Sequence, residues 1–167
     1  LDRVAKILTT ASYSFSGQRC TAPRRYLVEE SVFDDFIARV TDEVSKLKIG
    51  HPQEEKTDIG PLISEMHRSN IKRQISDALT RGNHLIYKGD VPAICDAGNW
   101  LAPSLLLVDD ESDPLFQNES FGPVVVVHKV KDIDDAIRSN NSVSQGLMAT
   151  LFSNSLKSRE KFLELAK

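Results

Sequence analysis

At 167 residues, with 40% hydrophobic and 27% charged side chains, the chain has the size and composition of one globular domain with a sizeable core. A net charge of -3 and a pI near 5.8 exclude electrostatic attraction to nucleic acid or an anionic membrane, and no apolar stretch approaches the roughly 20 residues of a membrane span. Two distant cysteines, Cys20 and Cys95, make no disulfide framework, and Leu1 to Lys6 show no signal-peptide pattern, so a cytoplasmic location is expected.

In chain order, Leu1, Val4, Leu8 and Ala11 recur at helical spacing and run into a corner at Ser14–Gly17. Arg25–Glu29 reads as a short strand. Ser31 with Asp34 predicts a capping box, and Phe33, Phe36, Ile37, Val40, Val44 and Leu47 build the apolar face of the helix behind it. Gly50-His51-Pro52 and Gly60-Pro61 bracket a polar connection. Ile71, Ile75, Ala78 and Leu79 mark a third helix, with Gly82 as its C-terminal glycine.

The period then shortens. Strands are expected at His84–Tyr87, Ser104–Val108 and Val124–Val127, the last a valine run suited to a strand buried on both faces. A helix follows from Asp132 with Ile133, Ala136 and Ile137 inward, then a strand over Leu147–Phe152 and a last helix opened by Ser155. Asp90–Trp100 reads as an irregular surface excursion. Strands alternating with helices predict an α/β fold with a mainly parallel sheet flanked by helices. Both ends fall inside helical patterns, which reads as one excised domain over 1–167.

The segment Gly17-Gln18-Arg19-Cys20-Thr21-Ala22 carries the chemistry. A thiolate can attack a carbonyl to give a thiohemiacetal, which loses hydride and becomes a thioester open to water. The thiol needs a nearby positive charge, helix dipole or base. Arg19 is one candidate charge, and backbone N–H groups around Cys20 are candidate oxyanion donors. Taken alone, such a cysteine also fits a small buried residue. The second motif, Asn118-Glu119-Ser120-Phe121-Gly122-Pro123, lies about a hundred residues on.

These two motifs, in this order, resemble the aldehyde dehydrogenase superfamily. Other landmarks agree: Gly60-Pro61, the Gly98-Asn99-Trp100-Leu101-Ala102-Pro103 turn, Asn141, and Gly146-Leu147. The resemblance implies that Cys20 is the nucleophile and that Glu119 accepts hydrogen bonds from the nicotinamide ribose hydroxyls. Phe121 would line the nicotinamide end of an NAD or NADP cofactor. It implies a small aldehyde substrate, with a lean toward semialdehydes from the Arg-Cys-Thr version of the motif, and a homo-oligomeric intact protein. The general base, the oxyanion asparagine and the dinucleotide-binding domain are expected outside this chain, leaving it inactive alone. Two alternatives stay open: an acylating or phosphate-reducing relative, and a non-catalytic assembly module with an inert cysteine.

The four histidines, His51, His67, His84 and His128, show no metal-ligand spacing. His67 falls four residues before Ile71 on one helix face and is expected to be a boundary histidine with a satisfied ring. Cys95 reads as an incidental loop thiol, Asp109-Asp110-Glu111 with Asp113 as a solvated acidic turn, and Gln145 as a packing position.

Overall fold

The computed structural model describes residues 1–95 and 97–167. Four strands form one sheet in the order β1-β4-β3-β2, from β1 (Arg25–Glu29), β2 (His84–Lys88), β3 (Ser104–Leu107) and β4 (Val124–Val130). β4 runs parallel to both β1 and β3, and only β2 is antiparallel to its neighbour. The valine run sits in the centre because it has no polar face to give to water: Val124 to Val127 are all buried.

Side-chain alternation along the strands divides the core in two. Tyr26, Val28, Leu105, Val125 and Val127 point to one face, where they meet α1 (Asp2–Tyr13) and α2 (Phe33–Ser45) through Ala5, Phe33, Phe36, Val40 and Val44. Leu106, Val108, Val124 and Val126 point to the other, against Ile71 and Ala78 of α3 (Glu65–Thr80) and Leu115 and Phe116 of α4 (Pro114–Gln117). α5 (Ile133–Asn140) begins behind Asp132, whose side chain accepts from Asp135 N, and α6 (Leu156–Leu165) behind Ser155, which accepts from Ser158 N. Gly82, at φ +98°, follows α3 where the chain must turn left-handed. The mainly parallel α/β arrangement is thus the one that the element pattern predicts.

Several local expectations fail. Ser31 does not cap a helix: it lies within a 3-10 turn, Glu30–Val32, and its hydroxyl donates to Glu29, so α2 starts at Phe33 without a side-chain cap. Leu147–Phe152 joins no ladder among the described residues, and Leu147 and Met148 are exposed. Strand propensity favours an extended chain, but a strand needs a partner that local sequence does not supply.

The acidic turn is solvated only in part: Asp109 and Asp110 are exposed, whereas Glu111 and Asp113 are held by the fold. Asp113 is buried, takes a two-pronged bond from Arg81 (2.7 and 2.9 Å), accepts from Asn83 at 2.7 Å and caps α4 through Leu115 N. Glu111 is gripped by Arg138 at 2.8 Å through both carboxylate oxygens. Gln145 is exposed instead of packed; its contribution is a carbonyl that accepts from Arg24. The Asp90–Trp100 stretch is irregular as expected, with Asp96 outside the described residues, but Cys95 within it is buried. No described helix is long and apolar enough to cross a membrane.

Candidate active site

The polypeptide leaves α1 through three consecutive residues in the left-handed region, Phe15 (φ 54°), Ser16 (φ 57°) and Gly17 (φ 69°). Two of them carry side chains that disfavour this conformation, so the surroundings must hold it. They do: the Ser16 hydroxyl donates to Gly60 O at 2.8 Å, and Gln18 Oε1 accepts from Ile63 N at 2.9 Å. On the other side Ser12 Oγ donates to Pro23 O at 2.7 Å. The turn that carries Cys20 is closed by Ala22 N donating to Arg19 O, and the cysteine is exposed on it.

Arg19 does not turn toward the thiol. Its guanidinium donates to Ala11 O and to Ser14 Oγ and lies 5.0 Å over the Phe15 ring, where it neutralises the carbonyl end of α1. Among the described residues, no hydrogen bond occupies the backbone N–H of Cys20 or Thr21, so both donors remain for a ligand oxygen.

The second motif folds against the first. Gly17 has no room for a side chain: a Cβ there would overlap the Gly122 carbonyl and lie 3.2 Å from Ser12 O. The two segments therefore meet backbone to backbone across a sequence gap of about a hundred residues, and they share one shallow pocket. Gly17, Arg19, Arg24, Glu119, Phe121 and Gly122 are among its lining residues; the Cys20 side chain is not.

Glu119 is exposed at this pocket, and no hydrogen bond among the described residues claims its carboxylate. Phe121, at φ 50°, is held left-handed, with 38% of its surface open. Sequence reasoning overlooked Arg24. Half-buried, it donates to Gln117 O (3.3 Å) and Gln145 O (3.2 Å), and so ties the Glu119 loop to the 141–145 stretch. Burial lowers its pKa, opposed by the negative charge of Glu119. The neighbouring Arg25 is pushed down to about 10, chiefly by burial and then by Arg24. The doublet Arg24-Arg25 at a strand start was the available signal.

The arrangement puts a hydrogen-bond acceptor and an aromatic ring at the lining of one pocket. A free carboxylate can take both hydroxyls of a cis-diol, and a half-open aromatic beside it offers a face for a planar ring. Among the described residues, no cluster of three or more His, Cys, Asp or Glu could hold a metal ion.

Comparison with known proteins covers the whole stretch. The model described as "Aldehyde dehydrogenase family" matches residues 1–167. A succinate-semialdehyde dehydrogenase [NADP(+)] from Mycobacterium avium is 32% identical over 165 residues, covering 98% of this chain and 34% of the relative. An NAD-dependent aldehyde dehydrogenase from Sinorhizobium meliloti superposes with a TM-score of 0.92 at 28% identity, over 99% of this chain and 32% of that one. Aldehyde dehydrogenase 21 from Physcomitrella patens, solved with the reaction product succinate, gives 0.89 at 28% identity, over 99% and 33%. The chain thus spans about a third of the length of the curated relatives it matches.

Proposed function

The chain belongs to the aldehyde dehydrogenase family, and from that premise we propose that the protein containing it oxidises an aldehyde to the carboxylic acid with NAD or NADP. Residues 1–167 act in this reading as one domain, the one bearing the nucleophile. Cys20 is the nucleophile, Glu119 binds the nicotinamide ribose, and Phe121 lines the nicotinamide. The observation that carries the reading is the backbone contact of Gly17 with Gly122, which joins the cysteine turn and the glutamate loop at one pocket.

In the proposed sequence the Cys20 thiolate adds to the aldehyde carbon, forming the C–S bond and placing the electron pair on oxygen. The N–H groups of Cys20 and Thr21, which no hydrogen bond claims among the described residues, would donate to that oxyanion. A bound nicotinamide supplies the acceptor for the hydride lost when the C=O bond re-forms. Water then adds to the Cys20 thioester, and C–S cleavage releases the carboxylic acid and returns the thiol. Glu119 orients the ribose and moves no proton.

A semialdehyde is the substrate class we favour. The Arg19-Cys20-Thr21 segment supports it, together with the Mycobacterium avium relative's name and the succinate bound to the Physcomitrella patens enzyme. A cytoplasmic, homo-oligomeric intact protein belongs to the same proposal.

The test is Cys20→Ser in the full-length protein, assayed for NAD(P)H formation with succinate semialdehyde and for an acylated Cys20 peptide by acid quench and mass spectrometry. Loss of both supports the assignment. Undiminished turnover in the serine variant overturns it.

A further inference from the structure

We propose that His67 is a positioning residue that fixes the Glu119–Gly122 loop against the nucleophile turn. The inference rests on the proposed function only in naming that loop a cofactor loop; the mechanical part stands on geometry alone.

His67 Nε2 lies 2.7 Å from the carbonyl oxygen of Phe121. A carbonyl can only accept, so Nε2 carries the proton and donates. The backbone that carries the imidazole is anchored, because His67 N donates to the Ser64 side chain that caps α3. Its bond falls on the residue that needs it, since Phe121 is held at φ 50°, a conformation it would not choose.

One turn along the same helix face, Ile71 is fully buried and fills the space over Gly122, where a Cβ would collide with Ile71 Cδ1. α3 therefore grips two successive residues, Phe121 by a polar bond and Gly122 by contact. Gly122 in turn sets its carbonyl against Gly17. The order of dependence is helix, cofactor loop, cysteine turn. Among the described residues, His67 supplies the directional link between α3 and the loop, because an apolar contact such as that of Ile71 does not select which way a peptide plane faces.

Two variants of the full-length protein separate this from a general structural role. In His67→Leu the donor is lost, and amide hydrogen exchange over residues 118–124, measured without cofactor, is expected to speed up roughly five- to tenfold, the equivalent of one net hydrogen bond. KM for the dinucleotide should rise by a similar factor with kcat changed less. His67→Gln, which keeps an N–H donor, should restore most of both.

Exchange over 118–124 equal to wild type in a folded His67→Leu protein overturns the proposal, as does an equal defect in the glutamine variant. The tautomer of His67 in the unaltered protein, read by 15N NMR, is a third arm independent of any variant's folding, and an Nδ1–H ring with bare Nε2 overturns it. Faster exchange with no effect on dinucleotide KM would retain the positioning role and count against the cofactor reading instead.

Discussion

A single missing side chain brings the two motifs together. Gly17 adopts φ 69° and lies where a Cβ would meet the Gly122 carbonyl, so Gly17→Ala combines left-handed strain with overlap against backbone that cannot rotate away. The expected cost is about 2–4 kcal/mol, read as a lower urea midpoint. Glu119 makes the opposite case. It is exposed and without a described hydrogen bond, so Glu119→Gln should leave the midpoint unchanged while weakening cofactor binding. One charge-assisted bond to a ribose hydroxyl would be lost, worth about 1.5–3 kcal/mol. Wild-type cofactor kinetics in that variant would remove Glu119 from the binding site. The two thiols differ in the same manner: Cys20 is exposed and Cys95 buried, so iodoacetamide with peptide mapping should label Cys20 first. Faster labelling of Cys95 would count against the nucleophile assignment.

Among the elements, α4 matters beyond its four residues, because it delivers the chain to Asn118 and Glu119. It starts with Asp113 at the cap and Pro114 behind it, a pairing that favours helix initiation. Asp113 also holds Arg81 at the end of α3, so one carboxylate locks the two helices that flank the glutamate loop. Its desolvation, which alone would raise its pKa, is outweighed by its bonds to Arg81, Leu115 N and Asn83, and the net shift is downward. A carboxyl with a lowered folded pKa contributes stability above its unfolded value, near pH 4, and loses it as the pH falls through the folded value. Asp113→Ala should therefore destabilise by about 2–3 kcal/mol at pH 7. The difference from wild type should shrink below pH 4, as followed by thermal melts across that range.

At the scale of the molecule, the sheet and its two cores are covered, but the C-terminal stretch is not. Leu147, Met148, Leu156 and Leu163 are each more than 60% exposed, and α6 has no buried residue. Phe15, Ile63, Met66 and Ile94 are as exposed, but singly or in a pair, whereas the C-terminal stretch carries four such residues within 17 positions. The 167-residue chain is expected to bind an apolar dye such as ANS while retaining its secondary structure, and Leu163→Lys should reduce the signal. Equal dye binding by that variant would move the exposed surface elsewhere. The same chain should form no sustained NAD(P)H from an aldehyde. Among the described residues, no hydrogen bond joins Cys20 to a histidine or carboxylate able to act as its base. Sustained turnover would overturn that expectation.

The sequence by itself determined what depends on local pattern: the apolar face of α2, the position of the valine strand, Gly82 after α3, the caps at Asp132 and Ser155, and the two motifs that resemble the family. Each is a matter of period or of a side chain reaching backbone a few residues away. By contrast, α1 buries Ala5, Thr9, Ser12 and Tyr13 and leaves Leu1 of its expected face exposed. Tertiary structure decided what depends on distant partners. Leu147–Phe152 has strand propensity and no ladder, and Asp113 looks like a surface acid until Arg81 and Asn83 arrive from α3 and the turn after it. The stacking of Gly17 on Gly122 and the bond from His67 to Phe121 join segments that linear spacing cannot place together. Propensity and capping act over a few residues along the chain, whereas contact between remote backbones is fixed only when the sheet and helices have packed.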